Sequence, residues 1–240
     1  MAAIRDNLQA VSERIARAAA AAGRSADSIR LLAVSKTHPP ALLEEATRAG
    51  QTAFGENYVQ EALEKMDALT RLVGEQRASD VEWHLVGPLQ SNKTRLVAER
   101  FDWVHSVSSA KVARRLSEQR SAGFAPLNVL IQVNCSGEAS KSGVAPGEAR
   151  PLAQAVAQMA RLRLRGLMAI PEPSREAAVQ RARFRPVREL YEELRADGLA
   201  LDTLSLGMSD DLEAAIAEGS TLVRVGTAIF GARGRERNAA

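Results

Sequence analysis

Lys36 stands directly after the apolar stretch Leu31-Leu-Ala-Val-Ser, in a chain whose lysines are Lys36, Lys65, Lys93, Lys111 and Lys141. An amine walled off from water at the end of a strand loses its charge more readily. The neutral form is the nucleophile that makes a Schiff base with a carbonyl. A lysine at a strand mouth can equally be a surface residue whose stem lies along the rim.

A second constellation lies near the C-terminus, in Ser205-Leu-Gly-Met-Ser-Asp-Asp and Val223-Arg-Val-Gly-Thr. Ser209, Gly226 and Thr227 are the residue types that offer backbone N–H groups and hydroxyls to a phosphate, and Gly207 and Gly226 permit close backbone approach. An ordinary helix cap and a glycine at a crowded strand end would read the same way. Arg224 interrupts an apolar run, so it needs a partner, either a structural carboxylate or a ligand acceptor. His84, beside Trp83 in another apolar run, is a hydrogen-bonded core histidine or a ligand contact. Glu56, after Phe54-Gly, is a candidate carboxylate base at a strand end.

His38, His84 and His105 do not form metal-ligand spacing with acidic residues or with Cys135, so no metal is expected. Gly-x-Ser-x-Gly, Walker and Gly-x-Gly-x-x-Gly patterns are missing from the sequence, which weakens serine-hydrolase and nucleotide-binding readings.

These residues need a scaffold. Apolar runs fall at Leu31–Ser35, Thr52–Gly55, Glu82–Gly87, Trp103–Val107, Val129–Asn134, Leu164–Ile170, Thr203–Gly207 and Leu222–Phe230. Helical patterns separate them, near 40–49, 58–72, 91–99, 109–121, 147–160, 175–197 and 210–218. Ile4, Leu8, Val11 and Ile15 give a further helix over about 3–22. Pro39-Pro40 suits a helix entrance, Ser91 and Ser109 suit N-caps, and Ser209 with Asp210 and Asp211 suits the start of the last helix. Strand–helix alternation implies a parallel sheet with right-handed crossovers. The count fits an α/β protein with a single (β/α)8 TIM barrel over about 30–231, followed by a polar tail at 232–240; a doubly wound sheet is the alternative. In such a barrel the chemistry belongs at the C-terminal strand ends, where Lys36, Glu56, Asn57 and the Ser209 and Gly226 loops all fall.

The chain has 240 residues, 45% hydrophobic and 25% charged, with net charge +3. That length builds a large core without staples. Two Trp, two Tyr and five Phe are too few for a nucleic-acid stacking platform. Charges interrupt every apolar stretch before a membrane span is reached. One cysteine, Cys135, excludes an intramolecular disulfide. With no secretory pattern at the N-terminus, a cytoplasmic location is expected.

Leu31-Leu-Ala-Val-Ser-Lys-Thr, Phe54-Gly-Glu-Asn-Tyr, Trp83-His-Leu-Val-Gly-Pro-Leu-Gln-Ser-Asn-Lys, Gln132-Val-Asn, Gly166-Leu-Met, Ser205-Leu-Gly-Met-Ser-Asp-Asp and Gly219-Ser-Thr-Leu-Val-Arg-Val-Gly-Thr-Ala-Ile-Phe-Gly occur in that order. Together they resemble the pyridoxal phosphate homeostasis protein family from about residue 30 to 231. The resemblance implies a fold-type III barrel like the N-terminal domain of alanine racemase, binding pyridoxal 5′-phosphate (PLP). It further implies PLP as a Schiff base on Lys36, Arg224 at the pyridine nitrogen, and Ser209, Gly226 and Thr227 on the phosphate with Met208 nearby. Asn57 and His84 would line the pocket, with Ser205 close to it. Arginine is purely a donor, so it disfavours a pyridinium and weakens the ring as an electron sink.

A racemase of this fold takes its second base from a tyrosine held by a partner's β domain. Here Tyr58 and Tyr191 are not obviously placed for that, and no β domain follows the barrel. The reading is therefore a monomeric PLP carrier without substantial turnover, with PLP-dependent apo-enzymes as possible recipients. The alternatives are a small racemase using water or His84 as second acid/base, and a PLP-free phosphate-binding isomerase using Glu56. Lys141, with Glu138 on the polar Cys135–Gly147 loop, is either a second PLP contact or a solvated charge.

Overall fold

The computed structural model describes residues 2–135 and 142–232. Glu138 and Lys141 lie outside the described residues. The strands are β1 (Arg30–Val34), β2 (Ala53–Glu56), β3 (Glu82–Leu85), β4 (Trp103–Val107), β5 (Leu127–Gln132), β6 (Leu162–Met168), β7 (Thr203–Ser205) and β8 (Leu222–Val225). Each pairs in parallel with its neighbour in sequence, and β8 closes on β1 through Arg30 opposite Leu222 and Ala33 opposite Val225. The expected closed barrel is present.

Helices α1 (Ala2–Ala21), α2 (Pro40–Arg48), α3 (Val59–Val73), α4 (Glu75–Ser79), α5 (Thr94–Arg100), α6 (Ala110–Gln119), α7 (Pro146–Ala157), α8 (Ala177–Ala196), α9 (Leu212–Ala217) and α10 (Thr227–Phe230) surround it. Pro40 opens α2, where its missing N–H costs no helical bond. Ser109 Oγ caps α6 by accepting from the Val112 N–H (3.3 Å).

Some local expectations are corrected. Ser91 does not cap a helix: it opens a 3-10 turn capped by Gln90, and its carbonyl accepts from Thr94 Oγ1 at 3.0 Å. Ser209 does not start α9, which begins at Leu212 with Asp211 at the N-cap position. The last apolar run leaves the sheet at Gly226, and Ile229 and Phe230 are buried on a helical turn. A short apolar run carries no period that separates strand from helix.

The main core fills the space between strands and helices. Two small clusters stand apart from it, Leu32–Ala53–Leu222 and Trp103–Leu130–Met168. Their residues alternate with the outward-facing ones, so they occupy the barrel lumen. The lumen also holds the buried polar side chains His84, His105, Ser205 and Arg224.

Helix α1 packs on α9, α10 and α2 through the buried Ile4, Leu8, Val11 and Ile15. It also carries polar ties. Asn7 Nδ2 donates to the Ile229 carbonyl (2.8 Å), and Arg14 donates to the Ser209 carbonyl (3.1 Å) and to Glu213. The helix thus braces from behind both segments that the sequence marks for phosphate.

Candidate functional site

At the C-terminal end of the barrel a cavity of about 210 Å³ is lined by Val34, Lys36, His38, Asn57, Val86, Ile170, Met208, Ser209, Asp210, Arg224, Gly226 and Thr227. Lys36, Asn57, Met208, Ser209, Arg224, Gly226 and Thr227, spread over nearly two hundred positions of sequence, therefore meet at one place. Ser205 and His84 do not line it. Both are fully buried in the lumen below, Ser205 against Arg224 and His84 stacked on Trp103 with ring centroids 5.2 Å apart. The histidine that faces the cavity is His38, whose ring lies 5.3 Å from that of Phe230.

Lys36 is carried by a pinned turn. The Thr37 N–H donates to Glu61 Oε1 (2.5 Å) and the His38 N–H to the Ser35 carbonyl (3.0 Å). Lys65 Nζ donates to that same carbonyl (2.6 Å). Thr37 has φ of 65°, a left-handed conformation that a β-branched residue adopts only when its surroundings impose it. The surroundings are a buried charge cluster. Lys65 Nζ also contacts Glu56 Oε1 (2.8 Å) and Glu61 Oε1 (2.6 Å), and Ser35 Oγ donates to Glu56 Oε1 (2.6 Å). Burial raises the Glu56 carboxyl above its usual range, and Lys65 opposes the rise. Glu56 thus lies beneath the turn and outside the cavity lining, so the isomerase reading loses its candidate base. Lys65 and Glu61 carry no motif that marks them in the sequence. They are one helical turn apart on α3, and that spacing shows the pair but not its target.

Arg224 is almost fully buried. Its Nη1 donates to the Ser205 carbonyl (2.6 Å) and to Ser205 Oγ (2.7 Å), and its Nη2 to the Ala169 carbonyl (3.0 Å). Among the described residues no carboxylate pairs with it. Of the five guanidinium N–H donors, those not spent on these acceptors remain for the cavity. Burial lowers its pKa to about 10, so it stays cationic at neutral pH.

The phosphate-type segments differ in detail. In one, Met208 N–H donates to Asp211 Oδ1 (2.6 Å), which folds residues 208–211 into a tight loop. Gly207 begins that loop with φ of 86°, and a Cβ there would lie 2.5 Å from the Ala215 Cβ, so glycine is required. The other segment is the start of α10, where Gly226 caps the helix and the first N–H groups have no intrahelical acceptor. Across the cavity Asn57 Oδ1 is buried with no hydrogen-bond partner among the described residues. Gly87 lies against the Asn57 backbone, since any Cβ there would collide with its main-chain carbonyl.

The donor set thus comprises an amine, a guanidinium with spare donors, two backbone segments bearing N–H groups, and an unsatisfied carbonyl acceptor. It fits a flat aromatic aldehyde that also carries a phosphate and a ring hydroxyl. Among the described residues no group of three or more His, Cys, Asp or Glu is arranged to hold a metal ion. No described helix is long and apolar enough to cross a membrane.

Residues 3–234 match the family described as alanine racemase, N-terminal domain. A pyridoxal phosphate homeostasis protein of Pseudomonas aeruginosa is 58% identical over 97% of each chain. One from Escherichia coli K12 is 54% identical over 96% of this chain and 97% of its own. Among solved structures, PipY of Synechococcus elongatus with PLP bound is 38% identical, with a TM-score of 0.81 over 95% of this chain and all of that one. An alanine racemase of Clostridium difficile superposes with a TM-score of 0.73 at 12% identity, this chain spanning 58% of its length, which is a likeness of fold alone.

Proposed function

The chain belongs to the pyridoxal phosphate homeostasis proteins, which share the alanine racemase N-terminal domain, and from that membership we propose that it binds PLP and serves intracellular PLP and amino acid homeostasis. The observation that carries this is the convergence of Lys36, Arg224, the Ser209 loop and the start of α10 on one cavity. When bound, PLP supplies an aldehyde that captures amines and a ring that withdraws electrons from them.

Each residue has a role that its position supports. The Lys36 amine makes the covalent link, from a backbone turn held by Glu61 and Lys65. The N–H groups at Gly226 and Thr227 and the Ser209 segment hold the phosphate. Arg224 donates to the ring nitrogen and leaves it unprotonated. Asn57 Oδ1 accepts from the ring hydroxyl.

Storage without turnover is favoured over racemisation by what lines the cavity. Tyr191 is buried on α8 on the outer side of the barrel, beside Gly166. Tyr58, at the N-cap of α3, is exposed and is not part of the lining. His84 is sealed in the lumen, so water or His38 would have to be the second acid/base. We also propose a cytoplasmic monomer that passes PLP to apo-enzymes; a lone cysteine, Cys135, suits a reducing compartment.

The test is the PLP-loaded protein in deuterium oxide with a panel of amino acids. Retained visible absorbance without deuterium at any α-carbon supports a carrier. Exchange that Lys36→Ala abolishes would make it a racemase.

A further inference from the structure

Beneath the cavity a row of polar side chains crosses the lumen, starting at Arg224 and continuing through residues that PLP binding, as proposed above, does not use. Arg224 Nη1 lies 2.7 Å from Ser205 Oγ, and that hydroxyl lies 3.2 Å from His105 Nδ1. His105 Nε2 lies 2.9 Å from His84 Nδ1, and His84 Nε2 lies 3.4 Å from Glu82 Oε2. The residues come from β8, β7, β4 and β3, so the row spans the lumen instead of following one strand. Ser205, His105 and His84 are fully buried. Glu82, the first residue of β3, is half-exposed at the opposite end of the barrel, where it pairs with Arg30 (2.7 Å) and accepts from Trp103 Nε1 (3.2 Å).

The direction of the row follows from counting protons. Arg224 can only donate, so Ser205 Oγ is an acceptor towards it. The Ser205 proton then needs an acceptor of its own, and among the described residues His105 Nδ1 is the one in reach. His105 must therefore carry its hydrogen on Nε2 and give it to His84 Nδ1. His84 in turn carries its hydrogen on Nε2, which makes no hydrogen bond among the described residues and faces the Glu82 carboxylate at 3.4 Å, a contact of charge alone. The reverse order fails twice. It leaves the buried Ser205 O–H without an acceptor, and it sets a bare His84 lone pair against carboxylate oxygens. Each fault carries the full penalty of an unsatisfied buried polar group. Protonating either ring would break the order as well, and burial keeps both rings neutral: it lowers His84 to about 4 and His105 well below its usual value.

We propose that Ser205, His105 and His84 are positioning residues, forming a one-way hydrogen-bond relay from Arg224 to His84, whose Nε2 faces the Glu82 carboxylate, and that this relay locks the rotation of the guanidinium in the cavity and couples it electrostatically to the far end of the barrel. The relay uses the donors of Arg224 that point down, so those that remain keep a fixed aim. That Arg224 meets the cofactor ring rests on the proposed function; the direction of the relay does not.

Long-range proton–nitrogen spectra of the histidine rings, recorded at neutral pH on the protein without PLP, read the tautomers directly. His105 and His84 are both expected as neutral Nε2–H tautomers. An Nδ1–H form of either, or averaging between the two forms, would overturn the relay. Ser205→Ala is expected to move the His105 Nδ1 resonance, displace the visible band of bound PLP and weaken PLP binding about tenfold. Glu82→Gln, at a half-exposed position, is expected to move the His84 resonances and, through them, those of His105. An unmoved His105 would refute the coupling. The expected tautomers in a protein that binds no PLP would uphold the relay and remove the proposed function instead.

Discussion

At the N-terminal end of the barrel the charges are matched to one another. Arg30 pairs with Glu82 and Arg165 with Asp202, each at 2.7 Å, and the Arg165 guanidinium lies 4.7 Å from the centre of the Trp103 ring. At the C-terminal end Arg224 leans on two carbonyls and a hydroxyl, keeps donors in reserve, and shares its cavity with an unsatisfied Asn57 oxygen and with Ile170 and Met208, which are partly exposed. The difference shows where the fold tolerates polar groups without internal partners. At one end the named charges are paired with one another and contribute stability. The other is left incomplete, and a ligand can complete it.

That contrast can be broken most severely at Lys36. Lys36→Ala is expected to abolish the visible absorbance that survives dialysis of the PLP-loaded protein, while the melting temperature of the PLP-free protein stays within a degree or two of the parent. Calorimetry with spectrophotometry checks both halves. Next comes the brace behind the mouth. Leu8→Ala removes a buried contact between α1 and the helices behind the cavity, and is expected to cost about 2–5 kcal/mol in denaturant unfolding. It should weaken PLP binding as well, because α1 holds the Ser209 and Ile229 carbonyls.

Acid should act on the lumen between the two ends. Burial lowers His84 from 6.5 to about 4, so as pH falls the unfolded chain takes up the proton first. Stability should therefore decline from about pH 6.5 towards pH 4, by roughly 3 kcal/mol over that window. Burial lowers His105 as well, which adds a loss of the same sign, so His84→Gln should lessen the decline without abolishing it, and an unchanged slope would show that His84 does not contribute. Glu82, held at about 2 by His84 and Arg30, adds its own loss at lower pH, as it protonates below its usual 4.5. The smallest effect belongs to the N-terminal end. Asp202→Asn weakens a partly exposed ion pair, in which the Arg165 side chain is mostly covered, and is expected to cost about 1 kcal/mol, with PLP affinity unchanged. A change in affinity there would contradict the separation of the two ends.

Much of the mouth is legible in the sequence, because strand ends are marked by local signals: an apolar run followed by Ser35-Lys36-Thr37 or Val225-Gly226-Thr227. The lumen is not legible in the same way. His84 and His105 sit on neighbouring strands, but β3 pairs with β4 with His84 opposite Trp103. No single-strand pattern reveals that register, so nothing in the sequence joins His105 to His84. The supports are equally hidden. Arg14 and Asn7 look like solvated helix positions until α1 is laid across α9 and α10, and Lys65 looks like another surface charge until α3 turns it onto the Ser35 carbonyl. Turn chemistry explains the remaining differences: Asp211 spends its carboxylate on the Met208 N–H, which delays α9 past Ser209.

The proposed function turns on Lys36 as the residue through which this chain holds PLP. Borohydride reduction of the PLP-loaded protein, followed by peptide mass mapping, tests it most directly. The expected result is bleaching of the visible band and one stoichiometric phosphopyridoxyl adduct, on Lys36. An adduct on another lysine with Lys36 unmodified, or a protein that gains no adduct when PLP is supplied, would contradict it.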